Sequence, residues 1–594
     1  MKKVAAVGTA LLAGAVALAL FYPRADKNAP LAFVPADTPY VIANIDTLGD
    51  ATYKLLLDRS DKELPGALGA WRAIAKQVAE QDPHLGDLIN AFIKEMDGKS
   101  LTAIAQNLGL RLNGHSAIYG LGLAPVARFE INDASAFEAF LVRMETAYGK
   151  PLETAKLGGT SYRRYVSQQA GIEIVVAAVN GQAAIAVLPS DVAEPQLRLA
   201  LGLDRPAQSL QDDGRLNRLA KSKGYKHWMI GQVNVAQLLP LAASGSDPLY
   251  QSVSTAWMRA HMDENDKAKP AAYQVPQTCQ SEIKRMAARL PAISFGYTRL
   301  EDKHQDLRID VSLASDITKA FSGISIDMPG LGAPGDASLD VAIGIPMDAA
   351  RAFWQAQAQA VAAAPFKCAM FSGLNSGFAA VAETVPKTAI SPANELLGVR
   401  VALDKIDLSS KAEHPDFAGR VVLGTKNPEG LLAMAKLANA ELAKIDVKTD
   451  GHAVALPANA VPPSMLSSDT LKTWMAMGPT GLGVAIGEGE DKKLAADVTA
   501  KGGDAGQIAR SHITADLYSR WVQAMVQKSL DTAKDTLDDK ETPPEDRARA
   551  KQQIELLEQQ IAALKASFVT VDSINSSTRM GSDGLIIDVN VDLK

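Results

Sequence analysis

Several stretches of the chain carry residue types at spacings that chemistry uses. Ser281-Glu282-Ile283-Lys284 sets a hydroxyl and an amine one helical turn apart, the spacing of a serine nucleophile and its lysine base. Two fixed residues recur by chance in a long chain, and the companion motifs of such acyl-transfer enzymes are missing. There is no Lys-Thr-Gly, and Ser573-Ile574-Asn575 falls in an expected β-hairpin. A solvated helix face accounts for Ser281 and Lys284. Gly330-Leu331-Gly332-Ala333-Pro334-Gly335 is a literal G-x-G-x-x-G. A dinucleotide fingerprint follows a strand and opens a helix, so that amides face a pyrophosphate. Here the glycines precede a strand and Pro334 has no amide hydrogen, so the stretch reads as linker. Gly373-Leu374-Asn375-Ser376-Gly377 misses a nucleophile elbow by one position. The eight histidines are scattered, with no His-Glu-x-x-His and no Cys-x-x-Cys. His261-Met262-Asp263-Glu264-Asn265-Asp266 gathers oxygen ligands without the alternation or glycine of a calcium loop. No catalytic, cofactor-binding or metal-ligating residue is assigned, no cofactor is expected, and the balance favours a protein that is not an enzyme.

Cys279 and Cys368 are the only cysteines. In an exported chain they are expected to form a disulfide, closing a loop of about 90 residues worth roughly 4–5 kcal/mol by loop entropy. The alternative is two separate buried thiols acting as small hydrophobes. The acidic clusters Asp538-Asp539 and Glu488–Asp491 read as loop surface. Trp71, Trp228, Trp257, Trp354, Trp474 and Trp521 could line a ligand groove, with buried core as the default. Net charge is −6, and no basic stripe with interleaved aromatics is present, so nucleic acid is not an expected partner.

The elements that would position any site come in two sets behind one apolar segment. Met1-Lys2-Lys3 precedes an uncharged run from Val4 to Tyr22, closed by Pro23-Arg24. That length can span a bilayer, and Phe21-Tyr22 suits its interface. Residues 1–23 are therefore expected to be a transmembrane anchor; the alternative is a signal peptide cut after Ala17 or Ala19. No cysteine follows the run, which excludes a lipoprotein anchor. Residues 24–34 read as a tether.

A chain of 594 residues exceeds one core. Residues 35–323 are expected to form one α+β repeat and residues 337–594 a second, with 324–336 as the linker. Asp133 caps a helix with Phe137, Phe140, Leu141, Met144 and Tyr148 on one stripe. Asn427, with Pro428 at the first helical position, caps a helix with Leu431, Met434, Ala435, Ala438 and Leu442 at the same spacings. Strands follow at 161–166 and 172–179, and more weakly at 445–456 and 473–477. Residues 183–187 then match 482–486, and the segments 227–235 and 516–522 fill the same place in the two sets. Each half ends in a helical pair and a β-hairpin, with Ile309-Asp310-Val311 matching Ile587-Asp588-Val589. In the second half, Thr542-Pro543-Pro544-Glu545 reads as a capping box before a short a/d seam. That seam is either an arm offered to a partner or a hairpin satisfied within the chain. The order of elements predicts mainly antiparallel sheet.

Phe33-Val34-Pro35-Ala36-Asp37-Thr38-Pro39 leads into the strand at 40–45. With the strand–helix units at 126–149 and 183–200, it resembles an uncharacterised family of exported bacterial envelope proteins, in which Pro-Ala-Asp-Thr starts the first strand after a membrane segment. The resemblance covers most of the first half and, more faintly, the second. It implies export and α+β repeats and carries no activity. The expected function is a single-pass, inner-membrane-anchored periplasmic protein of binding or scaffold type, with an envelope protein or lipid as partner. The alternatives are an envelope hydrolase with a site assembled from distant residues, or a carrier of lipid or another hydrophobic ligand.

Overall fold

The computed structural model describes residues 30–79, 82–261, 272–333, 335–406, 417–457, 460, 472–539 and 542–594. The candidate anchor at 1–23 and residues 262–266 of the acidic stretch lie outside them. Among the described residues there are 19 strands and 17 α-helices, and the class is α+β with antiparallel sheet. No described helix is long and apolar enough to cross a membrane.

Two compact units divide the chain: Met1–Ile309 with Glu558–Thr570, and Asp310–Leu557 with Val571–Lys594. The first holds β1 (Tyr40–Ala43), β2 (Ser116–Leu121), β3 (Ala124–Glu130), β4 (Glu153–Leu157), β5 (Thr160–Ser167), β6 (Ile172–Val179), β7 (Gln182–Pro189), β8 (Ile230–Val233) and β9 (Ile293–Leu300). β10 (His304–Ser312) carries the chain over the boundary. The first unit's helices are α1 (Asp50–Ala79), α2 (Pro83–Met96), α3 (Leu101–Asn107), α4 (Ala134–Tyr148), α5 (Glu194–Leu201), α6 (Leu210–Asp213), α7 (Arg215–Lys223), α8 (Val235–Ser244), α9 (Pro248–His261) and α10 (Gln277–Ala287). Beyond the boundary come β11 (Leu339–Gly344), β12 (Leu396–Ile406), β13 (Phe417–Thr425), β14 (Val454–Ala455), β15 (Thr473–Gly478), β16 (Gly481–Ile486), β17 (Gln507–Thr514), β18 (Val571–Met580) and β19 (Gly584–Leu593). The helices there are α11 (Ser315–Phe321), α12 (Met347–Ala363), α13 (Ser372–Thr384), α14 (Pro428–Ala438), α15 (Glu490–Val498), α16 (Ala515–Asp538) and α17 (Pro544–Ser567), the last crossing the boundary at Leu557.

With the first unit's extra edge strand β4 set aside, and β10, which pairs with β9, counted at the far end, the strand order is the same in both units. The first reads β4-β5-β6-β7-β3-β2-β1-β8-β9. The second reads β14-β15-β16-β13-β12-β11-β17-β18-β19. Hence β5, β6, β7 and β3 stand where β14, β15, β16 and β13 stand. Local sequence explains much of this. β6 and β7 are near-continuous apolar runs, as strands buried on both faces require. Asn180-Gly181 joins them, with φ of 54° and 73°, the pair of positive angles that a two-residue hairpin turn needs.

The two expected helix caps are present. Asp133 accepts from the amides of Ser135 and Ala136, and Asn427 from that of Gly430, with Pro428 following. Phe137, Phe140, Leu141 and Met144 are all buried. The matching stripe is broken, because α14 ends at Ala438, Leu442 sits in a separate 3-10 turn and Met434 is 49% exposed. Three other readings are corrected. The counterpart of β8 is β17 at 507–514, and 516–522 is the first turns of α16. Only Val454–Ala455 of 445–456 is strand. Residues 324–333 pack inside the second unit, where Ile326, Met328 and Leu331 are buried. Thr542 gives its hydroxyl to Asp539 at 3.2 Å.

One position ties each sheet to its helices. Arg128 on β3 faces Ala117 on β2 and Ala184 on β7; Arg420 on β13 faces Ala402 on β12 and Ala485 on β16. Both arginines are buried on the face that carries α5 in the first unit and α15 in the second. Arg128 donates to the Ala200 carbonyl at 2.8 Å, the Leu199 carbonyl at 3.3 Å, the Tyr119 hydroxyl at 3.1 Å and Gln182 Oε1 at 3.2 Å. The cation thus meets the carbonyl end of α5, where the helix dipole is negative. Gly202 makes that approach feasible. It ends α5 at φ 75°, and a Cβ there would lie 2.5 Å from the guanidinium. Arg420 instead donates to Asp497 at 2.6 Å and to Asp404 and Glu490.

The two arginines are therefore expected to differ under replacement. Arg128→Met leaves only neutral acceptors bare and costs about 1–3 kcal/mol. Arg420→Met strands carboxylates in the interior and costs about 3–5 kcal/mol. Urea unfolding of the full chain checks the order; equal losses would contradict it.

Candidate functional site

In the first unit the face opposite Arg128 is roofed by helices, and a cavity lies under the roof. Ala127 and Phe129 on β3, Ile174 on β6, and Ile185 and Val187 on β7 form its floor. Trp71 of α1, Phe92 of α2, and Phe137, Phe140 and Met144 of α4 form its walls and roof. Its volume is about 180 Å³. The void follows from shape. Large aromatics on α2 and α4 meet edge-on, Phe92 to Phe140 at 6.2 Å and 70°, and hold the helices off a floor that has small Ala127 beneath them. α1 and α2 meet tightly at one end, where a Cβ on Gly86 would fall 2.4 Å from Ala79 Cβ.

The polar groups of Arg163 and Tyr165 at the lining have partners. Arg163 donates to Glu145 at 3.0 Å and lies 3.2 Å from Glu138, leaving its stem against the cavity. The Tyr165 hydroxyl donates to Asp82 at 3.1 Å, and Ser167 donates to the same carboxylate at 2.7 Å. Burial, then the Asp82 charge, pushes the Tyr165 phenol upward, so it stays neutral. Asp82 also caps α2 through the Leu85 amide at 3.1 Å. A guest would meet hydrocarbon, aromatic faces and no unpaired charge. That is the chemistry of an apolar pocket: dry engineered cavities of about 150 Å³ take up benzene or xenon.

The second unit holds a buried charge network. Asp340 on β11 accepts two bonds from Arg400 on β12, at 3.0 and 2.7 Å, and lies 3.1 Å from Arg510 on β17. Arg400 reaches Asp497 at 2.9 Å, and Lys493 reaches Asp404 at 2.9 Å. The glycine stretch closes over it. Arg510 donates to the Gly330 carbonyl, and a Cβ on Gly335 would fall 1.7 Å from Asp340. That close approach, and not a phosphate, is what the glycines serve. Burial alone would raise the Asp340 carboxyl, but hydrogen bonds and charge from Arg400 and Arg510 outweigh it and hold it below the usual range. Glu490 goes the other way: burial, with Asp404 beside it, raises it despite Arg420. Each carboxylate faces a guanidinium or ammonium group, and the network braces β11, β12, β13 and β17 against α15.

Among the described residues none of the chemistry-bearing motifs is assembled into a site. Ser281 on α10 gives its hydroxyl to the Thr278 carbonyl at 2.8 Å, and Ser376 gives its own to Gly373 at 2.9 Å. Ser573 and Asn575 on β18 both donate to Asp592. Among the described residues no group of three or more His, Cys, Asp or Glu is placed to hold a metal. Cys279 and Cys368 are both disulfide-bonded. Glu490 is buried, against the reading of 488–491 as loop surface, and Trp257, Trp354 and Trp521 are exposed where core was the default. Sequence reasoning missed Asp340, Arg400, Arg420 and Arg510. A charged residue at one parity of an otherwise apolar strand is the signal that would have found them.

The two carboxyls give opposite pH slopes. Asp340, lowered by folding, adds stability above the unfolded value of about 4 that is lost as pH falls through its folded value. Glu490, raised by folding, loses stability as pH rises from about 4.3 through its folded value. Asp340→Asn is expected to flatten the acid limb of the melting temperature against pH, and Glu490→Gln to remove the decline above it. Profiles that coincide with the wild type in shape would refute the assignment. In comparisons with known proteins, the chain matches no family model, no curated protein and no solved structure.

Proposed function

We propose that this is a non-enzymatic binding protein of the bacterial envelope whose first unit takes up a small apolar ligand. The cavity of about 180 Å³ under α1, α2 and α4 carries the reading, since apolar hollows with satisfied rims are where hydrophobic guests bind. The proposal extends to the whole chain. The run from Val4 to Tyr22 holds the body on the periplasmic side of the inner membrane. Cys279 and Cys368 form one disulfide, as an oxidising compartment favours. The common strand order of the units and the recurring capped helices support two halves related by duplication. The resemblance of 33–39 and the strand–helix units to exported envelope proteins supports the location.

Thermal unfolding of the full chain with benzene tests the reading. At one hundred times its dissociation constant a ligand confined to the native state adds about 2.7 kcal/mol. Ala127→Phe fills the floor and is expected to abolish the benzene-induced rise while the chain stays folded by circular dichroism. An equal rise in wild type and variant, or none in wild type, would contradict the proposal.

A further inference from the structure

The helices that roof the first unit's cavity change partners partway along α1. Pro65 lies inside that helix and Gly66 follows it, so the turn there lacks one amide donor and one side chain. Before Pro65, α1 is tied to neighbours outside the roof. Arg59 donates to Gln305 of β10 at 2.9 Å, and the Thr570 hydroxyl donates to Glu63 at 2.6 Å. Asp61 accepts the Leu101 amide, at the start of α3, at 2.6 Å. Beyond Pro65, α1 is tied to α2. Arg72 lies 2.7 Å from Asp97, Trp71 packs on Phe92 with ring centroids 6.0 Å apart, and Ala79 leaves no room for a side chain at Gly86.

A second joint lies between α2 and α3. Gly98 has φ 70° and nothing within 4 Å of a Cβ built on it, and Asp97, Gly98 and Ser100 are exposed. The Asp61–Leu101 bond and the Arg72–Asp97 pair bracket both joints. Pro65-Gly66 falls between Asp61 and Arg72 on one path of the chain, and Gly98 falls between Asp97 and Leu101 on the other. The two weak points thus sit at one level, with a tie to the frame on one side and a tie within the helical pair on the other. That is the arrangement of a hinge. The far end of the pair is held by Asp82, which caps α2 and accepts from Tyr165 at 3.1 Å and Ser167 at 2.7 Å on β5.

We infer that Gly66–Ala79 of α1 and the whole of α2 form a flap that swings about Pro65-Gly66 and Gly98 to admit the ligand, with Asp82 as its latch. The inference rests on the reading of the cavity as a ligand site. The flap supplies Trp71, Ile74, Leu85, Leu88, Ile89 and Phe92 to the lining, while α4 and the strands supply the opposite walls and floor. Opening parts Phe92 from Phe140 on α4 and Asp82 from β5, and it leaves Trp71 on Phe92 and Arg72 beside Asp97. The motion therefore breaks contacts along one seam and spares those within the moving pair.

Exchange of fluorobenzene between solvent and the full chain, followed by fluorine NMR, tests this. Pro65→Ala returns the missing amide to the helix and is expected to slow entry and exit several-fold. Ser167→Ala removes one latch bond and is expected to speed both several-fold. Neither residue lines the cavity, so the dissociation constant should stay the same while the two rates move together. Should Ser167→Ala fail to fold, Pro65→Ala, at an exposed position, decides alone. Rates indifferent to these substitutions, in a chain whose unfolding temperature still rises with benzene, would overturn the flap and leave the cavity site standing. No rise with benzene in the wild type would remove both.

Discussion

A guanidinium buried at one strand position is the constraint on which each unit depends. An arginine there cannot be neutralised by losing its proton, so the surrounding chain must supply acceptors. The first unit uses the carbonyl end of α5, a tyrosine and a glutamine around Arg128. The second uses Asp497, Glu490 and Asp404 around Arg420 and extends the network to Asp340, Arg400 and Arg510. Either way the helix after the β-hairpin is fixed to one face, and whatever functional variety the fold has must lie on the other.

On that other face the units part. Phe129 on the first unit's floor is 1% exposed, and α1, α2 and α4, the last carrying Phe137 and Phe140, roof it with a void left beneath. In the second, valines line the β11–β13 part of that face, with Val421 44% exposed, while α14 packs on the part over β15 and β16.

Much of the frame was legible from residues. The Asp133 and Asn427 caps and the strands at 172–179 and 183–187 are local signals, and they fold as local chemistry says. β17 escaped because Ile508-Ala509-Arg510-Ser511-His512 carries charge on the side that faces Asp340, which looks polar until its partner strand is in place. The network escaped for the same reason: Asp340 and Arg510 are 170 positions apart and only β11–β17 pairing brings them together. The glycines at 330–335 looked like linker because composition records flexibility and not what a backbone is pressed against. The stripe of α4 was legible, whereas the cavity beneath it is a matter of volumes that no spacing encodes.

Diffraction from crystals of the full chain under xenon pressure tests the central claim most directly, because xenon enters only hollows that are apolar and accessible. The account predicts a xenon peak between Ala127 on β3 and Phe140 on α4. Xenon bound elsewhere with that hollow empty would contradict it.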